Sequence, residues 1–320
     1  MLEIRGLRVV YLAGKRRMVA VRNVDLELST GSAVALVGES GSGKSTIALS
    51  VMRLIRPPVG KIEAGRIEFA GEDLLTFSES RMRDVLHKEI GYVPQDPAAA
   101  LDPLCTIGRH INETLSASVP SSERRTAIAN LLESLGVKNA RSRLGSYPHE
   151  FSGGMQQRVA IAIALAKHPK LLIADEPTTA LDVTTQLGIL TLIDRLRREN
   201  GISLLFVTHD FSIARLLCQQ VVVLYAGEVM EKGPINDVMT NPRHPYTKAL
   251  VGAILREPAP RSRLLAIPGQ PPSPVDVRVG CPFAPRCPLA DAKCAKENPP
   301  LENYGGVAAA CWKVGAKATQ

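Results

Sequence analysis

Gly38-Glu39-Ser40-Gly41-Ser42-Gly43-Lys44-Ser45 has the spacing G-x-x-x-x-G-K-[ST] of a phosphate-binding loop. The residues on either side supply the context that such a loop needs. Ala33-Val34-Ala35-Leu36-Val37 is an unbroken apolar run containing β-branched residues, as expected of a buried parallel strand, and Thr46 to Met52 reads as a helix. Between them the glycines let the backbone curl so that successive N–H groups point inward. The helix N-terminus adds about half a positive charge facing the same cavity. Such a cup suits a triphosphate: Lys44 would reach the β- and γ-phosphates, and the Ser45 hydroxyl would ligate the accompanying magnesium. The bland alternative is a strand-to-helix turn that binds nothing, and this context disfavours it.

Working outward, the first thirty residues alternate, most clearly in Val24-Asp25-Leu26-Glu27-Leu28, and so does Gly65-Arg66-Ile67-Glu68-Phe69-Ala70-Gly71. Period two predicts half-buried antiparallel strands, hence a small β subdomain beside the loop. Ile90 to Val93 predicts a strand that runs out to Gln95. Helical segments follow over about 96–150, where Ile128, Leu131, Leu132 and Leu135 form an amphipathic stripe closed by Gly136. Ser152-Gly153-Gly154 opens a further segment, helical from Val159 to His168 and stopped by Pro169. Leu171 to Glu176 predicts a second buried strand, ending in two carboxylates, and Ile202 to Thr208 a third, ending at His209. In open parallel sheets ligands sit beyond the carboxyl ends of the strands, which makes Gln95, Asp175, Glu176 and His209 candidates for one crevice.

The 320 residues suffice for one large α/β domain and a smaller appendage. The 39 basic against 31 acidic residues permit nucleic acid, an anionic surface or nucleotide phosphates as partners. Basic residues are scattered and aromatics make up 4%, so no base-stacking platform is evident. No apolar stretch is long enough to cross a bilayer, and Met1-Leu2-Glu3-Ile4 does not open a secretory signal, so a cytoplasmic location is expected. Four of six cysteines, Cys281, Cys287, Cys294 and Cys311, crowd the C-terminal end. In a reducing compartment that grouping favours a metal or cluster site over disulfides.

An aspartate directly after a buried strand can hold magnesium, and a neighbouring glutamate can polarise a water; Asp175 and Glu176 are assigned those roles. Taken alone, either acid is better explained as a helix cap or a surface charge. Together with Gln95, Ser152-Gly153-Gly154, Asp182 in Ala180-Leu181-Asp182, and His209, they form a set that resembles the nucleotide-binding cassette of ABC transporters in order and spacing. The resemblance covers essentially the whole chain. It implies an α/β P-loop NTPase fold of the ABC cassette type. The core would be 1–95 plus 151–235, with a helical subdomain over 96–150 and an extension over 236–320.

Carried over residue by residue, the resemblance implies that Tyr11, otherwise core filler, stacks on adenine. Gly38, Ser40, Gly41, Ser42, Gly43, Lys44, Ser45 and Thr46 would hold the phosphates of ATP. Magnesium would be ligated by Ser45, Gln95 and Asp175. Gln95 would also contact the attacking water, and His209 would sense the γ-phosphate and orient Glu176. Ser152, Gly153 and Gly154, with Gln156 and Asp182, would complete the nucleotide site of an opposing cassette, so that two cassettes sandwich two ATP molecules. The usual signature begins with leucine and ends Gly-Gly-Gln; here Phe151 and Met155 match the oligopeptide and dipeptide variant.

His244-Pro245-Tyr246-Thr247 and Cys281-Pro282-Phe283-Ala284-Pro285-Arg286-Cys287 look like the C-terminal extension of peptide and nickel importer ATPases. The cysteine spacing C-x5-C-x6-C-x16-C matches neither common zinc sites nor bacterial ferredoxins, and spacing does not choose the metal. The resemblance suggests a [4Fe-4S] cluster, with zinc or four unligated thiols as alternatives. The proline-rich run from Pro258 through Pro268 to Pro274 is expected to be a stiff linker into this module. The implied function is the ATPase subunit that powers import of peptides or a similar small solute. It would sit peripherally on the cytoplasmic face of the bacterial inner membrane. Expected partners are a second, related ATPase chain, two membrane permease subunits and, indirectly, an extracytoplasmic solute-binding protein, with no nucleic acid. Soluble cassette ATPases that act on nucleic acid or ribosomes typically carry two cassettes or a long coiled coil; one phosphate loop and no sustained heptads argue against that class.

Overall fold

A computed structural model of the chain describes residues 1–14, 16–116, 118–178, 182–254, 267–273 and 279–314. Its strands are, in chain order, β1 (Leu2–Ala13), β2 (Arg16–Leu28), β3 (Ala33–Val37), β4 (Gly60–Phe69), β5 (Glu72–Asp73), β6 (Ile90–Val93) and β7 (Leu171–Asp175). They continue with β8 (Ser203–Thr208), β9 (Gln220–Tyr225), β10 (Glu228–Pro234), β11 (Glu302–Tyr304) and β12 (Val307–Ala309). The chain divides into two compact units, one of Met1–Leu28, Ala33–Leu75 and Val207–Gln320, the other of Ser29–Ser32 and Thr76–Phe206.

In the first unit the period-two stretches pair as predicted. β1 runs antiparallel to β2, with Leu2 opposite Leu28 and Ile4 opposite Leu26, and antiparallel to β4, with Leu2 opposite Phe69. Ile4, Leu7, Val24 and Leu26 are fully buried, whereas Glu27, between Leu26 and the buried Leu28, faces solvent. Alternation thus puts one face of this sheet in the core. β3 lies parallel to β9, with Val34 opposite Gln220 and Val37 opposite Val223. All five residues of β3 are buried, which is why its sequence is continuously apolar.

The C-terminal region is sewn onto the same unit. β12 pairs antiparallel with β10, Glu231 opposite Ala309, and β11 pairs with β12. Of the proline-rich run expected to be a linker, residues 255–266 and 274–278 lie outside the described residues. The part between them is tied down: Arg286 donates to the carbonyls of Ile267 at 3.1 Å and Pro268 at 2.8 Å.

In the second unit β6 lies parallel to β7, Ile90 opposite Leu171, and β8 flanks β7 on its other side. Helices Pro97–Ala100, Ile107–Thr114, Arg124–Ser134 and Ala140–Arg143 fill the segment expected to be helical. The predicted stripe is buried at Ile128, Leu132 and Leu135 and half-buried at Leu131. Gly136, at φ 79°, makes the left-handed turn that ends this helix, and Val137 N–H closes it on Leu132 O at 2.9 Å. The helix expected from Val159 begins six residues earlier, spanning Gly153–Leu165. Its two glycines fall in the first turn, where backbone N–H groups lack intrahelical partners and glycine disrupts no hydrogen bond. It ends before Pro169, the chain leaving through His168 at φ 53°.

Candidate nucleotide site

The phosphate loop is fixed by close backbone contacts that only glycine tolerates. A Cβ on Gly38 would lie 2.1 Å from the Leu224 carbonyl oxygen, and one on Gly43 would lie 2.6 Å from Ala20 O. Gly43 sits at φ 102° and caps the helix Lys44–Val51. Lys44, 4% exposed, folds back over the loop and donates to Gly38 O at 2.9 Å and Glu39 O at 3.0 Å. The Ser42 hydroxyl is buried and has no hydrogen-bond partner among the described residues. A buried polar atom without a partner is costly, and a phosphate oxygen would satisfy it. Tyr11, half-buried in β1, brings its hydroxyl to 3.4 Å from the Thr46 hydroxyl at the start of that helix. His209 is exposed just beyond β8, and the following Asp210 caps the helix Phe211–Leu217 through Ser212 N at 2.7 Å.

The second unit brings Gln95, Asp175 and Glu176 together. Asp175 closes β7 and is 4% exposed; the Tyr92 hydroxyl donates to its Oδ2 at 3.5 Å. Burial, reinforced by the Asp175 charge, pushes the Tyr92 phenol up to about 12, so it stays a donor at neutral pH. Tyr92 had no motif to announce it; it is an ordinary strand residue that the parallel pairing of β6 with β7 carries to the acid. Glu176 has φ 44°, a left-handed conformation rarely adopted outside glycine and asparagine. That turn swings its carboxylate to the exposed Gln95, whose Nε2 donates to Oε2 at 3.3 Å. Backbone strain held at a carboxylate beside a buried aspartate is typical of functional sites.

The signature segment takes a related form. Ser152 is exposed, with φ −65° and ψ 159°, and its carbonyl accepts from Met155 N and Gln156 N. Its hydroxyl makes no cap hydrogen bond, and the space around Gly153 is open. Gln156 turns inward, its Nε2 donating to Pro148 O at 2.8 Å and Phe151 O at 3.2 Å, so its amide staples the signature turn from behind. Asp182 caps the helix Val183–Glu199 through Thr185 N at 3.0 Å, a bond that also holds its carboxyl below the usual range. Ala180 and Leu181, its companions in the motif, lie outside the described residues.

Comparison with known proteins shows the family. The family profile described as ABC transporter matches residues 21–179, and that described as the oligopeptide/dipeptide transporter C-terminal region matches 230–294. A Brucella ovis protein bearing the name peptide import ATP-binding protein is 46% identical over 313 residues, covering 94% of this chain and 93% of that one. The chain belongs to the ABC transporter ATP-binding family. The oligopeptide transport ATP-binding protein AppD of Bacillus subtilis is 41% identical over 303 residues, 94% of this chain and 92% of its own. The dimeric structure of MJ0796, a bacterial ABC transporter cassette, superposes with a TM-score of 0.66 at 29% identity, covering 73% of this chain and 99% of that one. The cassette is therefore an ATPase of α/β P-loop fold that works on ATP with magnesium. No helix among its described residues is long and apolar enough to cross a membrane.

The cassette's C-terminal cysteines also come together. Cys281, Cys287, Cys294 and Cys311 line one small cavity with His244 and Trp312. No three His, Cys, Asp or Glu side chains among the described residues are arranged to hold a single metal ion. Burial pushes the Cys281 thiol up to about 12 and raises those of Cys287 and Cys311. Any cation held there has to displace these protons. His244 is 1% exposed and kept neutral, its pKa pushed down by burial to about 3. Its Nδ1 accepts from Tyr246 N at 3.0 Å.

Proposed function

We propose that this cassette is the ATP-hydrolysing subunit of an importer for peptides or a similarly small solute, acting at the cytoplasmic face of the cell membrane. The observation that carries the catalytic reading is Glu176, turned to φ 44° beside the buried Asp175 and engaged by Gln95 at 3.3 Å. The Glu176 carboxylate takes a proton from water as the water oxygen bonds to the γ-phosphorus. The bond to the β–γ bridging oxygen breaks, releasing ADP and phosphate. Gln95 contacts the attacking water and engages the carboxylate, and His209 senses the γ-phosphate and orients Glu176. Lys44 leaves the carbonyls of Gly38 and Glu39 for the β- and γ-phosphates, while Ser42 and the N–H groups of residues 40–46 surround the phosphate chain. Ser45, Asp175 and Gln95 are the residues that would hold the magnesium accompanying ATP, which would supply charge neutralisation for the phosphates. Tyr11 stacks on the adenine.

The Ser152 hydroxyl, the open backbone at Gly153 and the neighbouring Gly154 face the nucleotide of a second cassette, whose own signature completes this one. Asp182 stands at that junction. Gln156 acts one step back, holding the turn. The partner cassette is a related chain, and the helices between 97 and 143 form the subdomain, within 96–150, that meets two membrane permeases. The region 236–320 is the extension of the peptide branch, supported by the matched C-terminal profile and by relatives named for peptide import.

The four thiols line one cavity. A [4Fe-4S] cluster is the reading that the resemblance to peptide-importer ATPases suggests, with zinc or four unligated thiols as the alternatives. A bound cluster would supply a multi-electron metal centre tying four chain segments together. Iron and acid-labile sulfide in anaerobically purified protein are expected; a colourless sample with one zinc would refute the cluster.

Pull-down of the intact membrane complex tests the whole reading. A second cassette chain, two permeases and ATP turnover stimulated by a peptide-loaded binding protein are expected. A soluble homodimer without membrane partners would overturn it.

A further inference from the structure

Glu39 introduces a negative charge into a loop built to hold a triphosphate, and residues far along the chain restrain it. Arg286 engages its carboxylate with both arms of the guanidinium, Nη1 to Oε2 at 2.8 Å and Nη2 to Oε1 at 3.1 Å. Tyr246 accepts from the Glu39 backbone N–H through its hydroxyl at 2.9 Å. Neither partner is free to wander. Arg286 is 5% exposed at its side chain, and it also donates to Pro268 O at 2.8 Å and to the Tyr225 hydroxyl at 3.1 Å. Tyr246 is fully buried and packs against Tyr225 and Phe283, with ring centroids 4.6 and 5.3 Å apart. The pair with Glu39 raises the Arg286 pKa, so the charge that neutralises Glu39 is permanent.

We propose that Arg286 and Tyr246 are positioning residues for ATP binding: acting through Glu39, they hold the first peptide of the phosphate loop and cancel the carboxylate beside the phosphates. Arg286 lies between Cys281 and Cys287, on a segment closed by the hydrogen bonds Ala284 N to Cys281 O at 3.0 Å and Arg286 N to Phe283 O at 2.9 Å. The cysteine module therefore carries the arginine that braces the loop. A bidentate guanidinium on a carboxylate fixes distance and plane together, which a lysine cannot reproduce. Without Arg286, the Glu39 carboxylate stands unpaired beside the site and repels the incoming triphosphate.

The inference rests on the reading of residues 38–46 as the ATP site, so Lys44→Ala is the reference variant. Full-length protein is titrated with Mg-ATP, and the melting temperature is recorded alongside. Arg286→Gln is expected to weaken ATP binding on the order of 10-fold, within the usual span of coupling between sites. Adding Glu39→Gln to Arg286→Gln removes the repelling charge and is expected to recover most of that loss. A purely structural arginine would lower the melting temperature in both variants and show no such recovery. Tyr246→Phe is expected to weaken binding about two- to tenfold, the worth of one hydrogen bond. If Arg286→Gln does not fold, Arg286→Lys and Tyr246→Phe decide the matter, both being expected to bind ATP more weakly than wild type. Wild-type affinity in the folded Arg286 and Tyr246 variants, with Lys44→Ala impaired, would overturn the brace. So would an Arg286→Gln defect that Glu39→Gln does not relieve. Wild-type affinity in Lys44→Ala would instead remove the ATP-site reading itself.

Discussion

Gly38→Ala puts a methyl group where the backbone of β9 already lies. The new Cβ would be 2.1 Å from Leu224 O, about 0.9 Å inside the 3.0 Å limit that Cβ contacts respect. β9 is poorly able to retreat. Leu224 is fully buried, paired to Val229 of β10 on one side, and the neighbouring Val223 pairs with Val37 of β3 on the other. The loop has to move instead, and with it the N–H groups that meet the phosphates. A misplacement of about 1 Å at reacting groups costs on the order of 100-fold in rate, and overpacking of this kind costs about 1–3 kcal/mol of stability. The expected outcome is a folded protein with a melting temperature lower by a few degrees, ATP turnover down about 100-fold and a much smaller thermal shift on adding Mg-ATP. The assays are steady-state hydrolysis in the assembled transporter and thermal melts of the isolated chain with and without nucleotide. Gly145→Ala, where no atom lies within 4 Å of the added Cβ, serves as the control and is expected to be neutral in both. Wild-type turnover and a wild-type nucleotide shift in Gly38→Ala would refute the claim that this contact sets the shape of the loop.

Glu176→Gln should keep ATP binding while slowing hydrolysis by about 10² to 10⁴, the worth of a general base; single-turnover cleavage measures it, and an unchanged rate would remove Glu176 from the role. Stability should also respond to alkaline pH through Lys167, which is half-buried and donates to Leu86 O. Burial lowers its pKa from the usual value near 10.5 to about 8, so between those values the unfolded chain binds a proton that the folded chain does not. Stability attributable to this group therefore rises with pH, by about 2 kcal/mol from pH 7 to 9.5. Lys167→Met should abolish that rise in urea melts; an equal rise in the variant would assign it to other groups. Alkylating the C-terminal thiols of the purified chain should weaken ATP binding in wild type more than in Arg286→Gln, because the brace is already absent in the variant; equal weakening would uncouple the thiols from the loop.

Much of the candidate site was legible because its chemistry is local in sequence. The phosphate loop needs only a strand, a glycine turn and a helix in succession, and β3 with Lys44–Val51 supplies them within nineteen consecutive positions, 33 to 51. Alternation announced β1, β2 and β4 for the same reason, since each strand carries its own burial pattern. Asp175 and Glu176 could be placed at a strand end. Nothing in their spacing revealed the left-handed turn at Glu176 or the approach of Tyr92, because both depend on how β6 and β7 pair. Nor did the sequence reveal that Gln156 Nε2 donates to Pro148 and Phe151, contacts set by the fold of the preceding turn.

The sequence by itself determined that this chain binds a triphosphate and hydrolyses it as an ABC cassette, since the motifs carry their own backbone geometry and their own charges. It could show four cysteines but not that they share one cavity, and a proline-rich stretch but not its attachment to Arg286. Only the tertiary structure decided that Glu39 in the phosphate loop is gripped by Arg286, 247 residues away. Contacts at that separation leave no period or spacing in a single sequence. They exist because β10 and β12 pair and draw the C-terminal module against the loop.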